Sequence, residues 1–166
     1  MILICYDGSA DAQSAIDRAG ELFAEQPATV LTVWEPFIAM MMRSGAGIGL
    51  LGQIVNRDEI DAASEQAARE RADEGVERAR RAGMNPQPRT VARGAGTIAE
   101  TILSVADEVE AAVIVLGTRG LTGLKSLWLG SVSHAVLQHA DRAVIVVPSP
   151  GIAAERAARR RREASA

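Results

Sequence analysis

Five short runs of apolar residues mark the chain: ILICY (residues 2–6), TVLTVW (29–34), PRTVAR (88–93), AAVIVLG (111–117) and AVIVVP (143–148). Three of them are nearly continuous aliphatic stretches rather than alternating ones, the pattern of strands covered on both faces in a parallel sheet. PRTVAR is the most polar and is expected at a sheet edge. The segments between these runs have helical spacing. Residues 9–25 open on Ser9 and place Ala12, Ala15, Ile16, Ala19, Leu22 and Phe23 on one stripe. Residues 57–82 are strongly charged, with Glu65/Arg69, Glu74/Arg78 and Glu77/Arg81 at i,i+4, and Gly83 follows as a left-handed cap. Residues 96–109 begin at Thr97 and carry Ile98, Ile102, Leu103, Val105, Ala106 and Val109. A last core helix is expected to start near Ser131, with Val132, Ala135, Val136 and His139 at helical spacing.

The order is βαβαβαβαβ with short connections, and right-handed crossovers then make a doubly wound α/β layer the natural fold. Such sheets bind ligands beyond the carboxyl ends of their strands, so ligand loops are expected after residues 6, 34 and 116. Two segments stand outside this plan. Residues 36–56 (PFIAMMMRSGAGIGLLGQIVN) form a Met- and Gly-rich loop, readable as a lid, as a partner surface or as a mobile loop packed on the body. The stretch after Pro150 reads as a helix or a disordered end. The expected division is a domain over 1–150 and a basic tail over 151–166.

Composition narrows the function. Aromatics make up 3% of the 166 residues, so the core is aliphatic. No apolar stretch approaches the roughly 18 residues of a membrane span, and the N-terminal sequence lacks a basic leader region. The single cysteine excludes an internal disulfide, which suits a reducing cytosol. Net charge is −3, with five Arg and two Glu in residues 152–166 leaving a body of −6. An acidic body argues against a general nucleic-acid binder, and RRRR at 159–162 reads as a solvated tail.

The most informative stretch is GTRGLTGLKSLWLGSVS, residues 117–133. It starts at the carboxyl end of the fourth strand. Gly120 and Gly123 are expected to turn with φ > 0 and bring backbone N–H groups close to a ligand. Gly130-Ser131 stands where the next helix begins, and a helix N-terminus offers unpaired N–H groups and a positive dipole end to an anion. An N-cap serine in a tight turn would explain Gly130-Ser131. It would not explain the further glycines with Thr118, Arg119 and Lys125 among them. Lys125, the single lysine, suits either a charge partner for a phosphate or a solvent-facing position. His134 and His139 lie five residues apart, off the i,i+4 spacing of paired helix ligands, and no HxxxH, CxxC or carboxylate cluster suggests a protein-built metal site.

These residues resemble the universal stress protein family, in its ATP-binding subgroup. The subgroup's G-x2-G-x9-G-[ST] fingerprint matches Gly117, Gly120, Gly130 and Ser131, and ICYDGS and LTVWEP resemble the family's first and second strands. The resemblance covers roughly residues 1–149. It implies a three-layer sandwich around a five-stranded parallel sheet of order 3-2-1-4-5, a Rossmann-like adenine-nucleotide-binding fold. It also implies a role for each matching position. Asp7 would accept from the ribose hydroxyls, Val33 and Leu116 would flank adenine, and Cys5 would pack near the nucleotide. Gly117, Arg119 and Gly120 would run beside ribose and phosphates; Gly130, Ser131, Val132 and Ser133 would hold the phosphates. The implied ligand is ATP, with AMP and ADP as alternatives; Mg²⁺ or Mn²⁺ would enter with the triphosphate, held mostly by phosphate oxygens and water. A homodimer through the last strand, residues 143–148, and a cytoplasmic location are implied too.

Hydrolysis needs a positioned water or base and a group that neutralises the transferring phosphoryl. The loop has no Walker lysine and no acid placed to activate water, and Ser131 has no evident His partner. The residues therefore favour a stress-response binding module. A slow ATPase or phosphotransferase of the same fold group and a nucleotide-free scaffold are the alternatives.

Overall fold

The computed structural model describes residues 1–43, 56–121 and 129–164. Gly123, Lys125 and most of the 36–56 loop lie outside them. The strands are β1 (Ile2–Cys5), β2 (Pro27–Trp34), β3 (Asn85–Ala92), β4 (Val113–Gly117) and β5 (Ala143–Val147), and all pair in parallel in the order β3-β2-β1-β4-β5. The helices are α1 (Ala10–Leu22), α2 (Phe37–Arg43), α3 (Arg57–Arg81), α4 (Ile98–Glu108), α5 (Ser131–His139) and α6 (Pro150–Glu163). None of the described helices is long and apolar enough to cross a membrane.

Strand alternation divides the core into two layers. Ile2, Ile4, Tyr6, Val30 and Val115 pack with Ala12, Ala15 and Ile16 of α1 and Val76 and Ala79 of α3. Leu3, Leu31, Ile114 and Leu116 pack on the other side with Ile102, Val105 and Ala106 of α4 and Val136 of α5. α3 turns a stripe of small residues inward (Ala68, Ala72, Gly75, Val76 and Ala79), so its polar sequence still docks closely on the sheet. A Cβ at Gly75 would lie 2.8 Å from Val30 Cγ1 and 2.9 Å from Tyr6 Cδ1.

Several local details depart from the sequence reading. β2 and β3 start earlier than the apolar runs, at Pro27 and Asn85. Pro86 and Pro88 sit two apart on the edge strand, so both missing N–H groups fall on the unpaired side. Leu22, assigned to the apolar stripe of α1, is exposed. Of the three Glu/Arg pairs, Glu65–Arg69 forms, at 2.6 Å. Arg78 instead grips Asp17 of α1 with two bonds of 2.7 and 2.6 Å, and Glu74 accepts from the Tyr6 hydroxyl at 2.8 Å. Glu77 pairs with Arg80. A bidentate fork across two helices outcompetes a flexible pair along one. Gly83 caps α3 as expected: its φ is +81°, its N–H reaches Arg80 O at 2.9 Å, and the Met84 N–H reaches Ala79 O at 3.1 Å. The last segment forms a helix, α6, in which no residue is buried.

Candidate functional site

The carboxyl ends of β1, β2 and β4 open into a cavity of about 450 Å³, within the range of small-molecule sites. Its apolar wall is built from Cys5, Leu31, Val33, Ile98, Ile102 and Leu116, all continuous with the core layer under α4 and α5. The polar residues around it come from two turns, after β1 and β4, and from the start of α5.

After β1, Asp7 and Gly8 turn the chain into α1. Gly8 has φ +84°, which makes glycine the low-strain choice there. Asp7 accepts from the Ser9 N–H at 3.0 Å through Oδ1 and from the Leu121 N–H at 3.2 Å through Oδ2. The carboxylate thus spans the two turns and keeps lone pairs to offer a ligand hydroxyl. Cys5, half-buried in the cavity wall, has its thiol pushed up to about 12, first by burial and then by the neighbouring Asp7 carboxylate. At neutral pH it is a packed thiol and not a nucleophile.

After β4, the glycines serve packing more than backbone torsion. Among the described residues the positive-φ glycines are Gly8 and Gly83, so Gly120 does not turn through the left-handed region. The expectation of φ > 0 there is corrected; Gly123 lies outside the described residues. What crowds a side chain is proximity, most severely at Gly117, where the neighbour is backbone. A Cβ at Gly117 would lie 2.7 Å from the Ala12 amide nitrogen, and one at Gly120 would lie 2.6 Å from Asp7 Oδ2. A Cβ at Gly130 would meet Thr118 O at 3.2 Å, and the Gly130 N–H donates to that same oxygen at 2.8 Å. The fingerprint glycines therefore bring the loop down against α1, Asp7 and itself.

α5 begins at the cavity. Its N-cap, Gly130, contributes no side-chain cap, and the first amide bonded back is that of His134, which donates to Gly130 O at 2.9 Å. The amides of Ser131, Val132 and Ser133 occupy the N1, N2 and N3 positions, which have no intrahelical acceptor. Ser133, expected to hold phosphates, has its hydroxyl committed to the loop: it donates to Gly117 O at 2.8 Å and lies 3.3 Å from Thr118 O. Its backbone N–H remains oriented by the helix start. Arg119 lines the cavity, and among the described residues its buried Nε has no hydrogen-bond partner, nor has the buried Thr118 Oγ1.

All eleven residues assigned to the site from the sequence line this one cavity: Cys5, Asp7, Val33, Leu116, Gly117, Arg119, Gly120, Gly130, Ser131, Val132 and Ser133. Lys125 lies outside the described residues. His139 is exposed at the far end of α5 and is not part of the lining. Among the described residues no His, Cys, Asp or Glu cluster could hold a metal, and Asp7 is the one acid lining the cavity. The sequence reading missed six lining residues: Tyr6, Ala12, Leu31, Ile98, Ile102 and Leu121. Ile98 and Ile102 sit i,i+4 on α4, a signal that marks a buried face without saying that a cavity lies over it.

Comparison with known proteins agrees with this fold. Residues 1–148 match the sequence profile of the universal stress protein family. The chain is 32% identical over 147 residues to universal stress protein YxiE of Bacillus subtilis, covering 88% of this chain and 97% of that one. Among solved structures it resembles the hypothetical protein MJ0577 (TM-score 0.70, 20% identity, 89% of this chain and 94% of that one). It also resembles the universal stress protein of Archaeoglobus fulgidus in complex with dAMP (TM-score 0.56, 24% identity, 88% and 95%). Profile, relative and fold agree over nearly the whole sheet-and-helix body, and the chain belongs to the universal stress protein family.

Proposed function

We propose that this chain binds an adenine nucleotide in the cavity at the carboxyl ends of its strands, with ATP as the full ligand. The observation that carries the reading is the cavity's two-sided chemistry. An apolar slot from β1, β2, β4 and α4 adjoins an uncapped helix start and an arginine whose buried Nε has no hydrogen-bond partner among the described residues. Adenine fits between Val33 and Leu116, ribose hydroxyls donate to Asp7, and the phosphates meet Arg119 and the amides of Ser131, Val132 and Ser133, with Gly130 beside them engaged on Thr118 O. That the Archaeoglobus fulgidus protein, a chain of the same fold, forms a complex with dAMP supports an adenine nucleotide as the ligand class. With one acid at the cavity, a Mg²⁺ or Mn²⁺ would be held by phosphate oxygens and water, Asp7 being engaged by backbone amides.

In this reading residues 1–150 are the nucleotide-binding unit, residues 151–166 are a basic tail, and the protein acts in the cytoplasm as a stress-response binding module. A homodimer through β5 belongs to the same reading. β5 is an edge strand, and Val144, Ile145 and Val146 on it stay half-buried in the monomer. The test is titration calorimetry of nucleotide-free protein with ATP, AMP and GTP. ATP should bind more tightly than AMP, because AMP leaves the helix start only partly used, and GTP should bind weakly. Equal affinity for ATP and GTP, or no heat with any of them, would sink the reading.

A further inference from the structure

Asp11 lies outside the cavity lining, yet it is the one buried charged residue among the described residues, 5% exposed in the first turn of α1. Its two carboxylate oxygens serve two distant segments. Oδ2 accepts from the Arg119 N–H at 3.0 Å, and Oδ1 accepts from the Ser149 N–H at 3.3 Å. Arg119 is in the loop after β4, and Ser149 is the N-cap position of α6. Nearby contacts fix the same junction. The Ser9 hydroxyl donates to Arg119 O at 3.3 Å, and the Thr118 N–H donates to Val147 O at 2.8 Å. Gly117 lets Asp11 approach, since a Cβ there would lie 2.8 Å from the Asp11 Cβ. A buried carboxylate with both oxygens on backbone amides, at the positive end of a helix, is a rigid anchor and not a solvated surface acid.

From this geometry we propose that Asp11 is a positioning residue for the nucleotide loop, holding the Arg119 backbone in place and tying it to the start of α6. The proposal rests on the nucleotide reading for its ligand, but the tie itself is a property of the free protein. If one carboxylate holds both segments, loosening either end loosens the other. Ordering the Arg119 turn with nucleotide then also protects the Ser149 amide, and the basic helix α6 registers whether the site is filled.

Ser149 offers a selective way to cut the tie. Its φ of −63° and ψ of 159° already suit proline, so Ser149→Pro removes the N–H donor with little change in backbone shape, whereas Ser149→Ala keeps the donor. Amide exchange read by mass spectrometry on the full chain without nucleotide should rise in the peptide holding Arg119 for Ser149→Pro and stay at the wild-type level for Ser149→Ala. The isosteric Asp11→Asn should raise exchange at both Arg119 and Ser149, because an amide group accepts through one of its two heads. ATP affinity by calorimetry should fall about tenfold in Asp11→Asn and by a few-fold in Ser149→Pro, on the scale of losing one charge-assisted bond that positions a loop. Unchanged exchange at Arg119 in Ser149→Pro would overturn the tie, whatever nucleotides do. Intact exchange coupling with no effect on ATP affinity would overturn the positioning role. A wild type that binds no ATP would fail the nucleotide reading, while the exchange experiment still decides whether the tie exists.

Discussion

α4 and α5 both begin at the carboxyl rim of the sheet and both pack on the same core layer, but they finish their N-termini in opposite ways. α4 closes its own end. Thr97 Oγ1 accepts from the Glu100 N–H at 3.1 Å, and the Glu100 carboxylate accepts from the Thr97 N–H, completing a capping box. α5 starts at Gly130 with extended torsions (φ −67°, ψ 155°), no side-chain cap and no acid in its first turn. Glycine at an N-cap costs only a few tenths of a kcal/mol against serine or threonine. The open end is therefore cheap for stability, and it leaves three amides facing the cavity. The contrast separates a helix start that serves the fold from one that serves a ligand, on two helices that share their environment.

The sharpest way to break the contrast is to close α5. Gly130→Asp gives the helix an intrinsic cap in a backbone conformation any residue adopts, with a Cβ that needs only a small shift from Thr118 O. The new carboxylate should satisfy the open amides and repel phosphate at once. Affinity for ATP should fall about 100-fold, while thermal stability in the absence of nucleotide holds or rises by up to about 1 kcal/mol. A variant that loses stability and affinity together would mean that the open end is a packing feature. Gly120→Ala is a milder cut on the same loop. Its Cβ would collide with Asp7 Oδ2, the mobile end of a side chain, so the fold can yield by moving Asp7. The expected outcome is a roughly tenfold rise in Kd for ATP, the scale of one displaced hydrogen-bonding carboxylate, at less than about 1 kcal/mol in denaturant midpoint terms. The reverse experiment opens α4. Thr97→Ala should cost about 1 kcal/mol of stability and leave ATP affinity within a factor of about two, as measured by chemical denaturation and calorimetry on one preparation.

Much of this arrangement was legible in the sequence, because the parallel sheet writes itself in aliphatic runs and the glycine spacing writes the loop. β4 and β5 stand out as uninterrupted branched stretches, and the edge position of β3 follows from its polar residues. The early start of β3 was hidden by Pro86 and Pro88, which look like breakers until the strand is known to have a free edge. Arg78 was assigned to its own helix because i,i+4 spacing is visible in one dimension and Asp17 is not its neighbour there. The fingerprint glycines were recognised, but the reason for them was not. A sequence suggests conformational freedom for glycine, whereas Gly117 and Gly120 are set by the approach of α1 and Asp7. Asp11 escaped notice for a related reason. An acid in a first helical turn is common for the dipole's sake, and nothing in its neighbours announces that its oxygens reach Arg119 and Ser149.

The smallest expected effect tests the closed end alone. The Glu100 carboxyl is held below the ordinary glutamate range, first by the hydrogen bond from the Thr97 backbone and then by the Thr97 side chain. A lowered folded value means that this contribution is fully present above the unfolded pKa, about 4.3. It is lost as pH falls through the folded value, because a protonated Glu100 accepts the Thr97 N–H less well. Carbon-detected NMR titration should place the Glu100 midpoint below the ordinary value, and Thr97→Ala should move it part of the way back. α5 has no acid in its first turn and so no such component. Lowering the pH should therefore reduce the protection of the first α4 amides before it touches those of α5, once exchange is corrected for intrinsic rates. If both helix starts loosen together, the two ends are not the independent devices that their caps describe.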